Sequence, residues 1–99
     1  FKLIHRFESA HPDDIWTIAI SADDTRIVSA GEDKIISIWD ISKKKLISRI
    51  LDAHSRPIVA VVVSPDNKHI VSCSEDDTIS VWDFETRNLS SKFEGEDSL

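Results

Sequence analysis

Serine, histidine and aspartate occur together twice in this chain, as His11, Ser29 and Asp33 and again as His54, Ser72 and Asp76. A hydroxyl activated by an imidazole that a carboxylate orients is a general route to nucleophilic catalysis, so the set raises a hydrolase-like triad as a first reading. Two features oppose it. The set recurs in equivalent places, whereas an active centre needs it once, and no GxSxG turn offers a serine hydroxyl to a substrate.

Metal chemistry is opposed as well. His5, His11, His54 and His69 lack the spacing of zinc ligands, and no CxxC, HExxH or aspartate-rich calcium loop accompanies them. No cofactor and no metal are expected. Cys73 is the single cysteine, which excludes an intrachain disulfide and fits a reducing compartment, cytoplasmic ahead of nuclear. In such a compartment the sequon Asn88-Leu89-Ser90 has no use, and Ser64-Pro65 reads as a turn.

The elements that position these residues follow from an internal repeat. Moving the chain against itself by 43 positions pairs His11 with His54, Ser21 with Ser64, Asp23 with Asp66 and Ile27-Val28-Ser29 with Ile70-Val71-Ser72. The register continues without a gap through Glu32-Asp33 and Glu75-Asp76, then Trp39-Asp40 and Trp82-Asp83. Within each period the apolar runs are short, rich in Ile and Val and separated by polar turns, the pattern of strands. Four strands per repeat are predicted: 15–20, 26–30, 36–40 and 46–51, then 58–63, 69–73, 79–83 and 89–93.

Burial is expected to be graded across the strands. The run Ile58 to Val63 is apolar on both faces, as an inner strand covered on both sides by neighbouring sheets should be. Leu46-Ile47-Ser48-Arg49 and Leu89-Ser90-Ser91-Lys92 carry polar side chains suited to an outer edge, and Leu3-Ile4-His5-Arg6 aligns with them as the outer strand of a preceding unit. Cys73 falls where Ala30 falls and is read as a small buried hydrophobe.

Composition narrows the partners. The 99 residues carry a formal charge of −6, which argues against nucleic acid because phosphate binding draws on clustered Lys and Arg. The longest apolar stretch is far below the roughly 20 residues that span a bilayer, and no leader pattern opens the chain, so no membrane role is expected. Phe1 in place of Met and the abrupt end at Leu99 suggest an excerpt of a longer protein.

With this period and the recurring His, Ser, Asp and Trp-Asp, the sequence closely resembles the WD40 repeat family, whose four-stranded antiparallel blades form a propeller. The resemblance implies an all-β fold, with two four-stranded antiparallel sheets as propeller blades plus an outer strand of a preceding blade. It divides the chain into 1–10 (preceding strand and connection), 11–53 and 54–93 (repeats), and 94–99 (start of a further repeat or tail). It also implies buried networks of His11, Ser29, Asp33 and Trp39 and of His54, Ser72, Asp76 and Trp82. Those donors and acceptors can close a chain of bonds, with the Trp N–H occupying the serine oxygen. Two departures are visible: Ala10 and Ala53 stand where the family usually has Gly, and the next histidine position is Asp97.

Function is then expected from surfaces and not from chemistry. Trp16 lies outside the network near the loop end of an inner strand, where it either packs on a neighbouring blade or anchors a partner. The rim formed by the connections into the first strands and the turns between second and third strands is acidic, and the opposite rim is balanced. Asp13, Asp14, Glu32, Glu75 and Asp77 surround that rim, with Arg56 as the exception. The expected role is a non-catalytic scaffold or adaptor that presents loops and an axial face to partner proteins with basic segments. Further blades come from the same chain or by self-association. The rivals are the propeller part of a larger enzyme or ubiquitin-ligase receptor, and a self-assembling two-repeat structural protein.

Overall fold

Alternating β-branched residues bounded by Asp, Asn and Ser turns leave few choices but strands. The computed structural model describes residues 13–94, and every regular element there is a strand. Strands β1 (Ile15–Ile20), β2 (Arg26–Gly31), β3 (Ile36–Asp40) and β4 (Lys45–Ile50) form sheet A in that order. Strands β5 (Ile58–Val63), β6 (His69–Ser74), β7 (Thr78–Asp83) and β8 (Leu89–Glu94) form sheet B. All neighbours are antiparallel, and no strand end departs from expectation by more than one residue. The outer strand expected at Leu3 to Arg6 lies outside the described residues.

The turns explain why the meander closes so tightly. Between β1 and β2 the Ser21 hydroxyl donates to Asp23 Oδ1 at 2.6 Å, and the same oxygen accepts the Thr25 N–H at 3.1 Å. Hydrogen bonds from Ser21 and Thr25 lower the Asp23 carboxyl to about 2. Ser64, Asp66 and Lys68 repeat the device between β5 and β6. Asp24 and Asn67 take the left-handed conformation that completes each turn, a conformation short polar side chains tolerate.

One core joins the sheets. The rear face of sheet A, carrying Val28, Ala30, Ile36 and Ile38, meets the front face of sheet B, carrying Ile58, Val61, Ile70, Trp82 and Phe84. Polar ties cross the same joint: Val61 N–H donates to Thr17 Oγ1 at 3.2 Å, Ala22 N–H donates to Asn67 Oδ1 at 2.7 Å, and the Arg26 guanidinium lies 5.0 Å from the centre of the Phe84 ring.

Two positions are less covered than the alignment of the repeats suggests. Among the described residues strand β5 is covered on one face: Ile58 and Val61 are buried against sheet A, whereas Val59, Ala60 and Val62 are exposed. Cys73 is half-buried, because nothing among the described residues covers the rear face of sheet B as sheet B covers Ala30. The apolar run of β5 has a second cause. A β-bulge between Ile58 and Ala60 shifts the alternation, so that Ile58 and Val61 share a face although an odd number of positions separates them.

Candidate functional site: a buried polar network beneath an acidic rim

In sheet B the four residues singled out by sequence are brought together. Trp82 Nε1–H donates to Ser72 Oγ at 2.9 Å, Ser72 Oγ lies 2.8 Å from His54 Nε2, and His54 Nδ1 lies 3.2 Å from Asp76 Oδ2. The proton positions follow from the acceptors. Asp76 is ionised and only accepts, so Nδ1 carries the imidazole proton; Nε2 is then an acceptor and Ser72 donates to it. Burial lowers the His54 pKa, against the pull of Asp76, and keeps the ring neutral. Burial also pushes the Asp76 carboxyl upward, but bonds from the Thr78 hydroxyl and the Ser55 N–H outweigh it and hold the group well below the carboxylate range.

The Asp76 side chain is largely but not wholly covered, with 11% exposed. Thr78 is a fifth member that the sequence reading missed: its hydroxyl donates to Asp76 Oδ1 and also lies 2.9 Å from His54 Nδ1. Its signal was local, since a threonine two places after an aspartate can bond back to it. Ile35 at the matching place in sheet A concealed it.

In sheet A, Trp39 Nε1–H donates to Ser29 Oγ at 2.9 Å, and Asp33 Oδ1 accepts the Ile35 N–H at 3.1 Å. Asp33 is half-buried, where a buried side chain was expected. His11, the remaining member of that set, lies outside the described residues.

Geometry alone would suit a triad in sheet B, so accessibility decides. Ser72 is 0% exposed, and its oxygen already accepts from Trp82 and lies against His54. A nucleophile needs a lone pair aimed at open space, and this one faces none. The network holds the entry loop at His54 and Ser55 to the β6–β7 turn at Asp76, which is structural work.

Above it lies the rim. Asp13, Asp14 and Trp16 are exposed and Glu32 is half-buried; Glu32 N–H donates to Asp14 O at 3.1 Å, which draws the β2–β3 turn against the entry to β1. The approach is tighter at Gly31, where a Cβ would stand 2.1 Å from Asp14 O, although sheet B makes the equivalent bond from Glu75 N–H to Pro57 O beside Ser74. Trp16 occupies a β-bulge between Ile15 and Thr17 and is 42% exposed. Val59, at the matching bulge of β5, is 41% exposed although sheet A covers the front of its strand. A sheet on the front side therefore does not by itself bury this position.

The other rim residues are less unified. Arg56 does not stand against the acidic pattern but pairs within it, 3.7 Å from Glu75, with both side chains open to solvent. Asp77 lines a polar hollow with Ser55, Thr78, Lys92 and Glu94, beside the outer strand β8 and away from Trp16 on the inner strand β1. Among the described residues no group of three His, Cys, Asp or Glu could hold a metal ion.

Comparison with known proteins agrees with the fold. The family profile "WD domain, G-beta repeat" matches residues 1–40 and 45–83. No curated protein matches. Among solved structures, the WD40 repeats of RRP9 are similar with a TM-score of 0.84 and 24% identity, covering 89% of this chain and 28% of that one. U3-55K is similar with a TM-score of 0.84 and 22% identity over the same shares. At these identities the likeness is one of fold, and the chain spans about 28% of the length of the solved chains it matches. With the profile covering most of its residues and both sheets built as blades, the chain belongs to the WD40 repeat family.

Proposed function

We propose that these blades act as a non-catalytic interaction module, with Trp16 anchoring a partner protein whose Lys or Arg side chains meet Asp13, Asp14 and Glu32. The observation that carries the reading is a contrast in exposure. The Ser72 hydroxyl and His54 ring that could do chemistry are buried, whereas a tryptophan stands exposed at a bulge close in sequence to Asp13 and Asp14. Aromatic side chains supply much of the affinity at interfaces, and rim charges chiefly steer encounter and select sign. Arg56 and Glu75 pair with each other at the neighbouring blade, whereas Asp13 and Asp14 lie at the entry to β1 with Trp16.

The test is kinetic. A protein captured on the immobilised chain is measured by surface plasmon resonance at several salt concentrations, against wild type, Trp16→Ala and the pair Asp13→Lys with Asp14→Lys. Trp16→Ala is expected to raise the dissociation rate and leave association unchanged. Charge reversal is expected to slow association and flatten its salt dependence. Unchanged kinetics in both variants would place the contact on the opposite rim or outside these blades.

A further inference from the structure

The outermost strands of the two sheets differ in charge. From Ile41 to Leu51 the chain carries Lys43, Lys44, Lys45 and Arg49 and no acidic residue, although the whole sequence has a charge of −6. All of these cations are exposed, and none forms an ion pair among the described residues. Leu46 and Ile47 stand among them, 37% and 43% exposed. On β8 the matching stretch mixes signs, and Lys92 pairs with Glu94 at 3.8 Å. Among the described residues β4 ends sheet A and pairs with β3 alone, so alternate residues turn N–H and C=O groups outward to an open edge. Neighbouring sheets do not reach that edge. Sheet B packs behind sheet A, yet β4 approaches no strand but β3; sheet A packs before sheet B, yet β8 approaches none but β7. Blades join through their inner strands, and a blade packed in the same way on either outer face leaves the β4 edge open.

We propose that the β4 edge takes up an extended, acidic segment of a partner protein as an added strand of sheet A. Strand addition draws affinity from main-chain hydrogen bonds and selectivity from alternate side chains. The cations set the sign, because opposite charges across a strand pair stabilise it and like charges oppose it. The same rule excludes a second copy of β4, which would set lysines and arginine against their own kind. Leu46 and Ile47 favour aliphatic side chains between the acids of the segment. A phosphate backbone or a lipid headgroup answers the charge but not the row of backbone donors and acceptors, so a peptide strand is the occupant. This edge is separate from Trp16 on the inner strand β1 and selects the opposite sign of partner.

Fluorescence anisotropy on the intact protein tests this with a dye-labelled peptide of about eight residues that alternates Glu and Val. Binding that weakens with salt is expected, together with slowed hydrogen exchange across Lys45–Ile50. Lys43→Thr with Lys45→Asn introduces the residues that sheet B carries at Thr86 and Asn88, so the fold is kept while affinity should fall about 3- to 10-fold. N-methylation of the peptide amides keeps its charge but removes its donors, and should weaken binding at least about tenfold. Trp16→Ala should leave this binding unchanged, which separates it from the contact proposed at the acidic rim. No binding of the acidic peptide, equal binding of its N-methylated form, or affinity untouched by the lysine substitutions would overturn the proposal. So would a single-stranded oligonucleotide or phosphatidylserine vesicles that bind where the peptide does not.

Discussion

Ser72 and Ser37 offer the same substitution with opposite consequences. Both are fully buried on interior strands, and serine to alanine removes one oxygen from each. At Ser72 the oxygen accepts from Trp82 Nε1–H at 2.9 Å and lies 2.8 Å from His54 Nε2, to which it donates. Ser72→Ala leaves a buried donor and a buried acceptor unpaired at once. At about 1–3 kcal/mol for each, trimmed by local relaxation, the expected loss is about 2–4 kcal/mol. At Ser37 the hydroxyl has no hydrogen-bond partner among the described residues, so its desolvation is uncompensated there. Ser37→Ala is expected to change stability by about zero or to raise it by up to about 1 kcal/mol.

Urea denaturation at fixed chain concentration measures both. The midpoint should fall for Ser72→Ala and hold or rise for Ser37→Ala, with the slope unchanged. Equal losses would show that removing any buried oxygen is costly in these sheets, and the hydrogen-bond accounting would fail. A loss below about 0.5 kcal/mol at Ser72 would show that the network does not hold the blade together.

Three further outcomes follow from the same geometry. The folded pKa of His54 lies below its ordinary 6.5, so the unfolded chain takes up the proton first and stability should decline as pH falls below 6.5. Asp76, also lowered, adds a second decline below 3.8; a urea midpoint that stays flat until that point, or a first step that persists in His54→Gln, would refute the assignment to His54. Gly31→Ala should destabilise by about 1–3 kcal/mol, since the added methyl meets Asp14 O, and a neutral result in thermal unfolding would mean the entry to β1 yields freely. Lys44→Gly should stabilise by about 0.5–1 kcal/mol, because Lys44 sits at φ 58 without a side chain suited to it; a lower melting midpoint would count against this.

The fold was legible because two independent signals coincided. Strand alternation and Asp- or Asn-bearing turns recur in one register, so an error in either repeat would have broken the match to the other. What lay beyond reach was the backbone at the remaining turns. Left-handed residues recur at Lys34 with Asp77 and at Lys44 with Arg87, and lysine and arginine have no preference for that conformation. They adopt it because the flanking strands are tied by the ladder, a tertiary cause that no local composition announces. Burial is harder to read for a related reason. A run such as Ile58 to Val63 says that both faces are apolar, but which face is covered depends on the sheets present, and the bulge that changes the phase leaves no mark in the residue types.

The network and the surface were legible to different degrees, for one physical reason. His54, Ser72, Asp76 and Trp82 must satisfy one another in the dark of the core, so their types constrain each other and the set can be read as a unit. Exposed residues answer to no such closure. The same repeat that reveals the core also hides the surface, because matching the repeats draws the eye to what is equal. Among the positions that differ are Asp13 against Arg56, Trp16 against Val59, Lys34 against Asp77 and Ile35 against Thr78. All but the last carry exposed or half-buried side chains in both sheets. Two blades with similar cores are told apart by a partner through surface differences such as these. If a partner binds one blade in preference to the other, exchanging Trp16 and Val59 together with Asp13 and Arg56 should move the contact from sheet A to sheet B, while the core, being equivalent, tolerates the exchange.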